Sequence, residues 1–280
     1  QPIGAYLVQD FPGASRLLGA CRAQRVELVA PMVWPRATAP AARDDEVDGR
    51  RIALHFGGVT SPVVPWDAIR RPIGAMVSLV ADLARRHRRE LTVLGNRHLG
   101  SLPLLSDALP GRGIRLVTEA NPAEAAALVE SAELLVTTPG IGMVYEAMAR
   151  EVPTLLLPPV NSTQLHQYAV LTGLGYPGSL SEPAASALQR QTQGAPWDRQ
   201  SVLAVRWLQA NLDEALAELP SWLERLLADR DRGQARVDLL RLQRRLRDSL
   251  SQRDAVEVLR TIVVALGGGR AGDGPPSSAP

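Results

Sequence analysis

An α/β fold built on a doubly wound parallel sheet is the class this sequence predicts, and three observations carry that expectation. Short apolar runs recur from residue 51 onward, each closed by glycine or polar residues. The segments between them show helical spacing. The central run Leu134-Leu135-Val136 is apolar without alternation, as in a strand buried on both faces. Strands alternating with helices in this way argue for a parallel sheet over about 52–180.

In chain order, the first elements are two short strands, Ala5-Tyr6-Leu7-Val8 and Val26-Glu27-Leu28-Val29, around a helix from Ala14 to Ala23. Pro35 to Arg51 is rich in proline and charge and shows no period, so a domain boundary is expected there. A long surface loop is the alternative. The sequence opens on Gln1, in what reads as the middle of an element, and is taken as part of a longer chain.

The sheet begins with Ile52-Ala53-Leu54-His55-Phe56, which ends in Gly57-Gly58. A helix is expected from about Pro72 to Arg86, with Ile73, Met76, Val77, Val80 and Leu83 on one face. The cluster Arg85, Arg86, Arg88 and Arg89 at its end suits the negative helix pole and reads as a solvated face. The second and third strands are Leu91-Thr92-Val93-Leu94 and Ile114-Arg115-Leu116-Val117. Asn121-Pro122-Ala123-Glu124 then spells a helix start, with Asn as cap and Pro at the first helical position. The fourth strand is Glu133 to Thr137 and the fifth Thr154 to Pro158. Beyond residue 196 come amphipathic helices that pack on the sheet or on a partner, among them one carrying Leu239, Leu242, Leu246 and Leu250. The expected organisation is 1–50 as the remnant of a preceding domain with its linker, 51–195 as the sheet domain, 196–268 as a helical extension and 269–280 as a disordered tail.

Composition narrows the function. Cys21 is the only cysteine, which excludes an intrachain disulfide and a cysteine metal site and fits a cytoplasmic setting. All 31 basic residues are arginine while the net charge is only +2, which is not the balance of a nucleic-acid binder. Without lysine a G-x-x-x-x-G-K-[ST] phosphate loop cannot exist, and Gly140-x-Gly142 lacks the third glycine of the dinucleotide fingerprint. The histidines His55, His87, His98 and His166 show no metal spacing.

What remains is a set of loops at the C-terminal strand ends, where open α/β sheets bind ligands. Thr137 to Ala149 reads as a strand end, a tight turn and a helix start, whose free N–H groups and dipole favour an anion. Gly57-Gly58-Val59-Thr60-Ser61 offers backbone donors and hydroxyls to a phosphate, or is simply a structural turn. Glu146 could accept from vicinal hydroxyls, and Gln164 can both donate and accept. Either alone would be an ordinary surface residue; together they suit a nucleotide diphosphate sugar.

The stretch Leu135 to Pro153, followed by Leu156-Leu157-Pro158 and Thr163-Gln164-x-x-Gln167, resembles the donor-binding half of GT-B glycosyltransferases. The peptidoglycan N-acetylglucosaminyltransferase and the antibiotic and UDP-glucuronosyl transferases are the closest in pattern. The resemblance covers about 51–175. It implies that Gly140 and Gly142 hold the diphosphate, Glu146 the ribose hydroxyls and Gln164 the transferred sugar. Ala120 and Asn121 would flank the base, and Thr60 and Ser61 would approach the phosphates. Gly57, Gly58, Arg97, Thr138, Ile141 and Thr163 complete the implied donor site. It further implies a metal-independent, inverting transfer, with no cofactor, from a nucleotide sugar (UDP-linked in the first instance) to a hydroxyl or nitrogen of a small-molecule or lipid-linked acceptor. The helical end would serve a protein partner or an oligomer.

Thr138-Pro139 stands where the family has His-Gly, Thr163 where it has Asp, and Glu151 where a glycine ends the helix. Little sequence is left for an acceptor domain, and Asp10 is the one carboxylate beside an N-terminal strand that could serve as base. The cytosylglucuronate synthases of nucleoside-antibiotic pathways are one group that fits. A UDP-sugar 2-epimerase or sugar-nucleotide hydrolase of the same fold, and a non-catalytic partner subunit that binds sugar nucleotide or protein through its helical end, stay open as alternatives.

Overall fold

The structure, a computed structural model, describes residues 6–11, 26–31, 33, 50–106, 113–227 and 232–250. The expected helix Ala14 to Ala23, most of the linker after Pro35 and the tail 269–280 lie outside the described residues. The chain divides into two compact units, one of residues 1–32 with 248–280 and one of 33–247. In the first, β1 (Tyr6–Gln9) pairs in parallel with β2 (Val26–Val29), in register from Tyr6 with Val26 to Gln9 with Val29. Asp10 follows β1, and its N–H donates to the Val29 carbonyl at 2.8 Å.

The second unit is a five-stranded parallel sheet in the order β5-β4-β3-β6-β7. Its strands are β3 (Arg51–Phe56), β4 (Glu90–Gly95), β5 (Ile114–Thr118), β6 (Leu134–Thr137) and β7 (Thr154–Leu156). The chain builds outward from β3 to β5 on one side, then returns to lay β6 and β7 on the other. β3 and β6 therefore flank the point where strand order reverses. Helices cover both faces, as parallel strands require. On one face Ala53, Leu94 and Leu135 meet Val129 of α3 (Pro122–Glu130) and Ala147 of α4 (Ile141–Ala149). On α1 (Trp66–Arg86), Ile69, Ile73, Met76, Val77, Val80 and Leu83 are fully buried, each side chain contributing about 1.5–3 kcal/mol. The short α2 (Pro103–Ser106) follows β4.

α1 starts two turns earlier than the sequence suggests. Pro72 lies inside it rather than at its first position. Proline there leaves the Ala68 carbonyl without its intrahelical donor. The Gln209 Nε2 donates to that oxygen at 2.5 Å, from the neighbouring α7 (Trp197–Ala210). Of the four arginines at and just beyond the end of α1, three are exposed as expected. Arg89 is instead buried and ion-paired with Glu133, because it lies at the N-terminal end of the sheet just before β4 and needs a counter-charge there.

Asn121 caps α3 as anticipated, its side chain accepting from the Glu124 N–H at 2.9 Å. Glu151 does adopt a left-handed φ of 56° in the glycine position. Arg244 of α10 (Arg232–Asp248) braces it with bonds of 3.0 and 2.6 Å, which hold its carboxyl below the usual range. Gln243 of the same helix donates to the Val152 carbonyl, so α10 crosses the N-terminal strand ends. The region after residue 196 packs within the sheet unit: α7 lies against α1 and α5 (Ser162–Gly173), with α6 (Glu182–Thr192) beside it, α8 (Leu212–Ala215) following, and α9 (Leu219–Leu227) against α1. Among the described residues no helix is long and apolar enough to cross a membrane.

Candidate functional site

A cleft of about 660 Å³ opens at the C-terminal ends of β3 and β6, where the strand order reverses. Of the residues expected to bind donor, Gly57, Gly58, Thr60, Ser61, Gly140, Gly142, Thr163 and Gln164 line it. A larger cavity, about 810 Å³, lies among α5, α6 and α7 and is lined by none of them.

The loop after β3 is built around its glycines. Gly58 has φ +60°, a left-handed conformation that a side chain resists. At Gly57 a Cβ would lie 2.6 Å from the His55 Cε1. The loop's carbonyls are tied down: Gly57 O accepts from the Gln164 Nε2 at 2.7 Å and the Thr138 Oγ1 at 3.2 Å, and Gly58 O from the Asn161 Nδ2 at 2.8 Å. Asn161 also caps α5, accepting from the Gln164 N–H at 2.9 Å. The N–H groups of Gly57, Gly58, Val59 and Thr60 have no backbone acceptor among the described residues. Those of Ile141, Gly142 and Met143, in the first turn of α4, likewise have none. Gly57, Gly58 and Thr60 of the first set and Gly142 and Met143 of the second line the cleft, with the α4 dipole adding roughly half a positive charge.

Several expectations are corrected at the atomic level. The Gly140 N–H is turned back on the Thr138 carbonyl at 2.7 Å, so the helix-end donors begin one residue later, at Ile141. Ser61 spends its N–H on Val64 at 3.1 Å, and its Oγ accepts from the Val64 N–H. Thr138 is fully buried and steadies Gly57 from beneath. Gln164 is buried, with Oε1 accepting from the Val160 N–H at 3.0 Å and Nε2 on Gly57; both ends of its amide position the loop. Glu146 is not among the cleft residues: its carboxylate is buried against Arg150, four residues on, at 2.6–2.7 Å, and Arg150 also pairs with Glu130. A glutamate at that spacing from an arginine on one helix face finds its partner locally. Arg97 is exposed in a 3-10 turn, and Ala120 and Asn121 stand at the start of α3; none of the three lines the cleft. Asn96 donates to the Thr60 Oγ1 at 3.4 Å.

The cleft also holds residues that sequence reasoning missed: His55, Val63, Met143, Asn161, Ser162, Trp197, Asp198 and Ser201. His55 Nδ1 lies 3.0 Å from the Thr137 Oγ1, whose own proton goes to the Thr138 carbonyl at 2.9 Å. A hydroxyl has one proton, so Nδ1 is the donor and Nε2 keeps its lone pair. Burial pushes the His55 pKa down to about 4, so the ring is neutral at pH 7. Asp198 is then the one charged side chain among the described cleft residues.

The family described as CGA synthase-related protein matches residues 37–206. No curated protein matches the chain. Among solved structures, Phytolacca americana UGT2 complexed with UDP-2fluoro-glucose and pterostilbene superposes with a TM-score of 0.50 at 13% identity, over 95% of this chain and 55% of that one. CalG4, the calicheamicin glycosyltransferase, gives 0.46 at 17% identity, over 98% of this chain and 54% of that one. Spinosyn rhamnosyltransferase SpnG gives 0.43 at 16% identity, over 87% and 53%. The chain therefore spans about half the length of the solved structures it matches. The likeness to UGT2 is one of fold, an α/β architecture with a parallel five-stranded sheet and flanking helices in this chain.

Proposed function

The chain belongs to the CGA synthase-related family, and on that premise we propose that its sheet unit is the donor-binding part of a glycosyltransferase using a nucleotide diphosphate sugar, with UDP as the nucleotide. One observation carries the reading: two sets of backbone N–H groups, Gly57 to Thr60 and Ile141 to Met143, lack backbone acceptors at the switch point of a parallel sheet. A diphosphate supplies acceptors for both. As the bond from the anomeric carbon to the leaving phosphate breaks, negative charge grows on the phosphate. Fixed donors and a helix pole hold that charge without reorganising.

The acceptor hydroxyl or nitrogen attacks the anomeric carbon from the opposite face, with inversion, and passes its proton to a base. Thr60 and Gly58 approach the phosphates from one wall and Gly142 from the other. Gln164, Asn161 and Thr138 hold the first loop in place. The proposal places the whole transfer in secondary metabolism, in the cytoplasm, with a small-molecule acceptor.

Isothermal titration of the chain with UDP, GDP, dTDP and ADP tests this. Selective uptake of UDP supports it. A folded chain that takes up none of the four would overturn it in favour of a non-catalytic partner subunit.

A further inference from the structure

No arginine lines the cleft among the described residues, and its one charged side chain, Asp198, is an acid. A diphosphate entering it would meet backbone donors and a helix pole but no cation. One group in the lining can become a cation, and the sheet geometry places it. His55 is the fifth residue of β3, two beyond Ala53. Side chains two apart on a strand share a face. Ala53 packs with Ala147 of α4, so His55 stands on the α4 face, nearer the C-terminal end of the strand. Its register partners are Leu94 of β4 and Thr137 of β6. Beyond Thr137 the chain passes through Gly140 into the first turn of α4. Gly57 lies against the ring: a Cβ there would come within 2.6 Å of Cε1 and 3.4 Å of Nε2. The imidazole therefore stands between the loop after β3 and the start of α4, the two segments whose N–H groups lack backbone acceptors.

The ring is held in one orientation by the bond from Nδ1 to the Thr137 Oγ1 at 3.0 Å. Nε2 has no hydrogen-bond partner among the described residues. A bare lone pair repels a phosphate oxygen, whereas a protonated nitrogen donates a charge-assisted hydrogen bond to it. In the empty cleft burial alone lowers the pKa, to about 4, and no neighbouring charge contributes. An anion within about 4–6 Å acts the other way and favours the charged ring. The groups facing His55 leave that change to the ligand. Leu94 and Thr137 do not titrate, α4 presents Gly142 and Met143, and α5 presents Ser162 to Gln164. Asp198 of α7 is the only other titratable side chain in the described lining; the Glu146–Arg150 pair of α4 and His166 of α5 lie outside it.

We propose that His55 is a phosphate-binding residue of this cleft: it takes up one proton from solvent as the diphosphate enters, holds a phosphate oxygen through Nε2–H, and returns the proton when the diphosphate leaves. The proposal rests on the donor-cleft reading above. It supplies, only in the complex, the cation that the lining lacks, and it makes binding tighter at mildly acidic pH.

The test is calorimetric titration of the full chain and of His55→Gln with UDP-glucose and UDP-glucuronate, whose diphosphates carry no group that titrates between pH 5.5 and 7.5. A diphosphate that restores the ring's ordinary pKa of about 6.5 tightens binding about tenfold on going from pH 7.5 to 5.5. At pH 6 about three quarters of a proton is taken up, read from the heats in MES and in Bis-Tris buffer. His55→Gln should abolish the uptake and flatten the pH dependence, with circular dichroism checking the fold. Constant affinity and no proton uptake in the unaltered chain would overturn the proposal without recourse to the variant. So would uptake that persists in a folded His55→Gln, which would assign the proton to another group. Failure of both ligands to bind the folded, unaltered chain would overturn the donor-cleft reading, and this proposal with it.

Discussion

His55 makes stability depend on pH in a way that can be worked out from the structure. Its pKa falls from 6.5 to about 4 in the folded chain because removal from water disfavours the charged ring, whose Nδ1 is paired with Thr137. In the unfolded chain the ring titrates near its ordinary value. Between the two values the unfolded state binds a proton that the folded state refuses, so unfolding is favoured as pH drops. The stabilisation is complete above about pH 7 and is lost as pH falls from 6.5 toward 4. The full window amounts to about 3 kcal/mol, and about 2 kcal/mol of it is gone by pH 5. Urea unfolding at pH 8, 6.5, 5.5 and 5 measures it. Carboxylates and His166, whose pKa burial also lowers, titrate nearby, so the informative quantity is the difference between the chain and its His55→Gln variant. The chain should lose about 2 kcal/mol more than the variant on going from pH 8 to pH 5. Parallel pH profiles would refute the burial argument.

Glu146→Ala should destabilise the chain by about 3 kcal/mol, because it takes a buried carboxylate partner from the buried Arg150. Thermal melting should show a fall of roughly 6–12 °C, whereas an unchanged melt with lost nucleotide affinity would return Glu146 to the ribose. Gly57→Ala should cost about 1–3 kcal/mol, since its Cβ would strike a ring already held by Thr137; chemical denaturation reads this directly. Gln164→Leu should cost about 2 kcal/mol by orphaning the buried Val160 N–H, and hydrogen exchange should report a loosened loop at Gly57 and Gly58.

The sheet was legible because its central strands carry apolar runs and close on glycine or polar loops. Asn121-Pro122 was legible because capping is local. The start of α1 was not, since Pro72 resembles a helix-opening proline. Only the distant Gln209, which takes up the freed Ala68 carbonyl, shows that the helix runs through it. The site was half legible for the same reason. Glycines and hydroxyls near strand ends announce themselves, and seven such expectations line the cleft. The roles within them depend on neighbours far away in sequence: Gln164 reads as a sugar ligand until Gly57, 107 residues earlier, takes its amide. Glu146 had its partner in plain view at Arg150, but the resemblance assigned it to a ligand. Trp197 and Asp198 open a helix that Pro196 and a first-turn acid could have marked. Their place in the cleft follows from the Ser162–Ser201 contact, which carries no sequence signature.

The central claim is that backbone donors at the start of α4 hold a diphosphate. Ile141→Pro isolates it. Gly140 is already extended, at φ −83° and ψ 141°, and proline suits the first helical position, so the helix should survive while one free N–H disappears. Calorimetric titration of UDP should show affinity reduced about tenfold or more, the loss of one hydrogen bond to a charged group, with the circular dichroism spectrum unchanged. UDP binding at full strength in that variant would contradict the account.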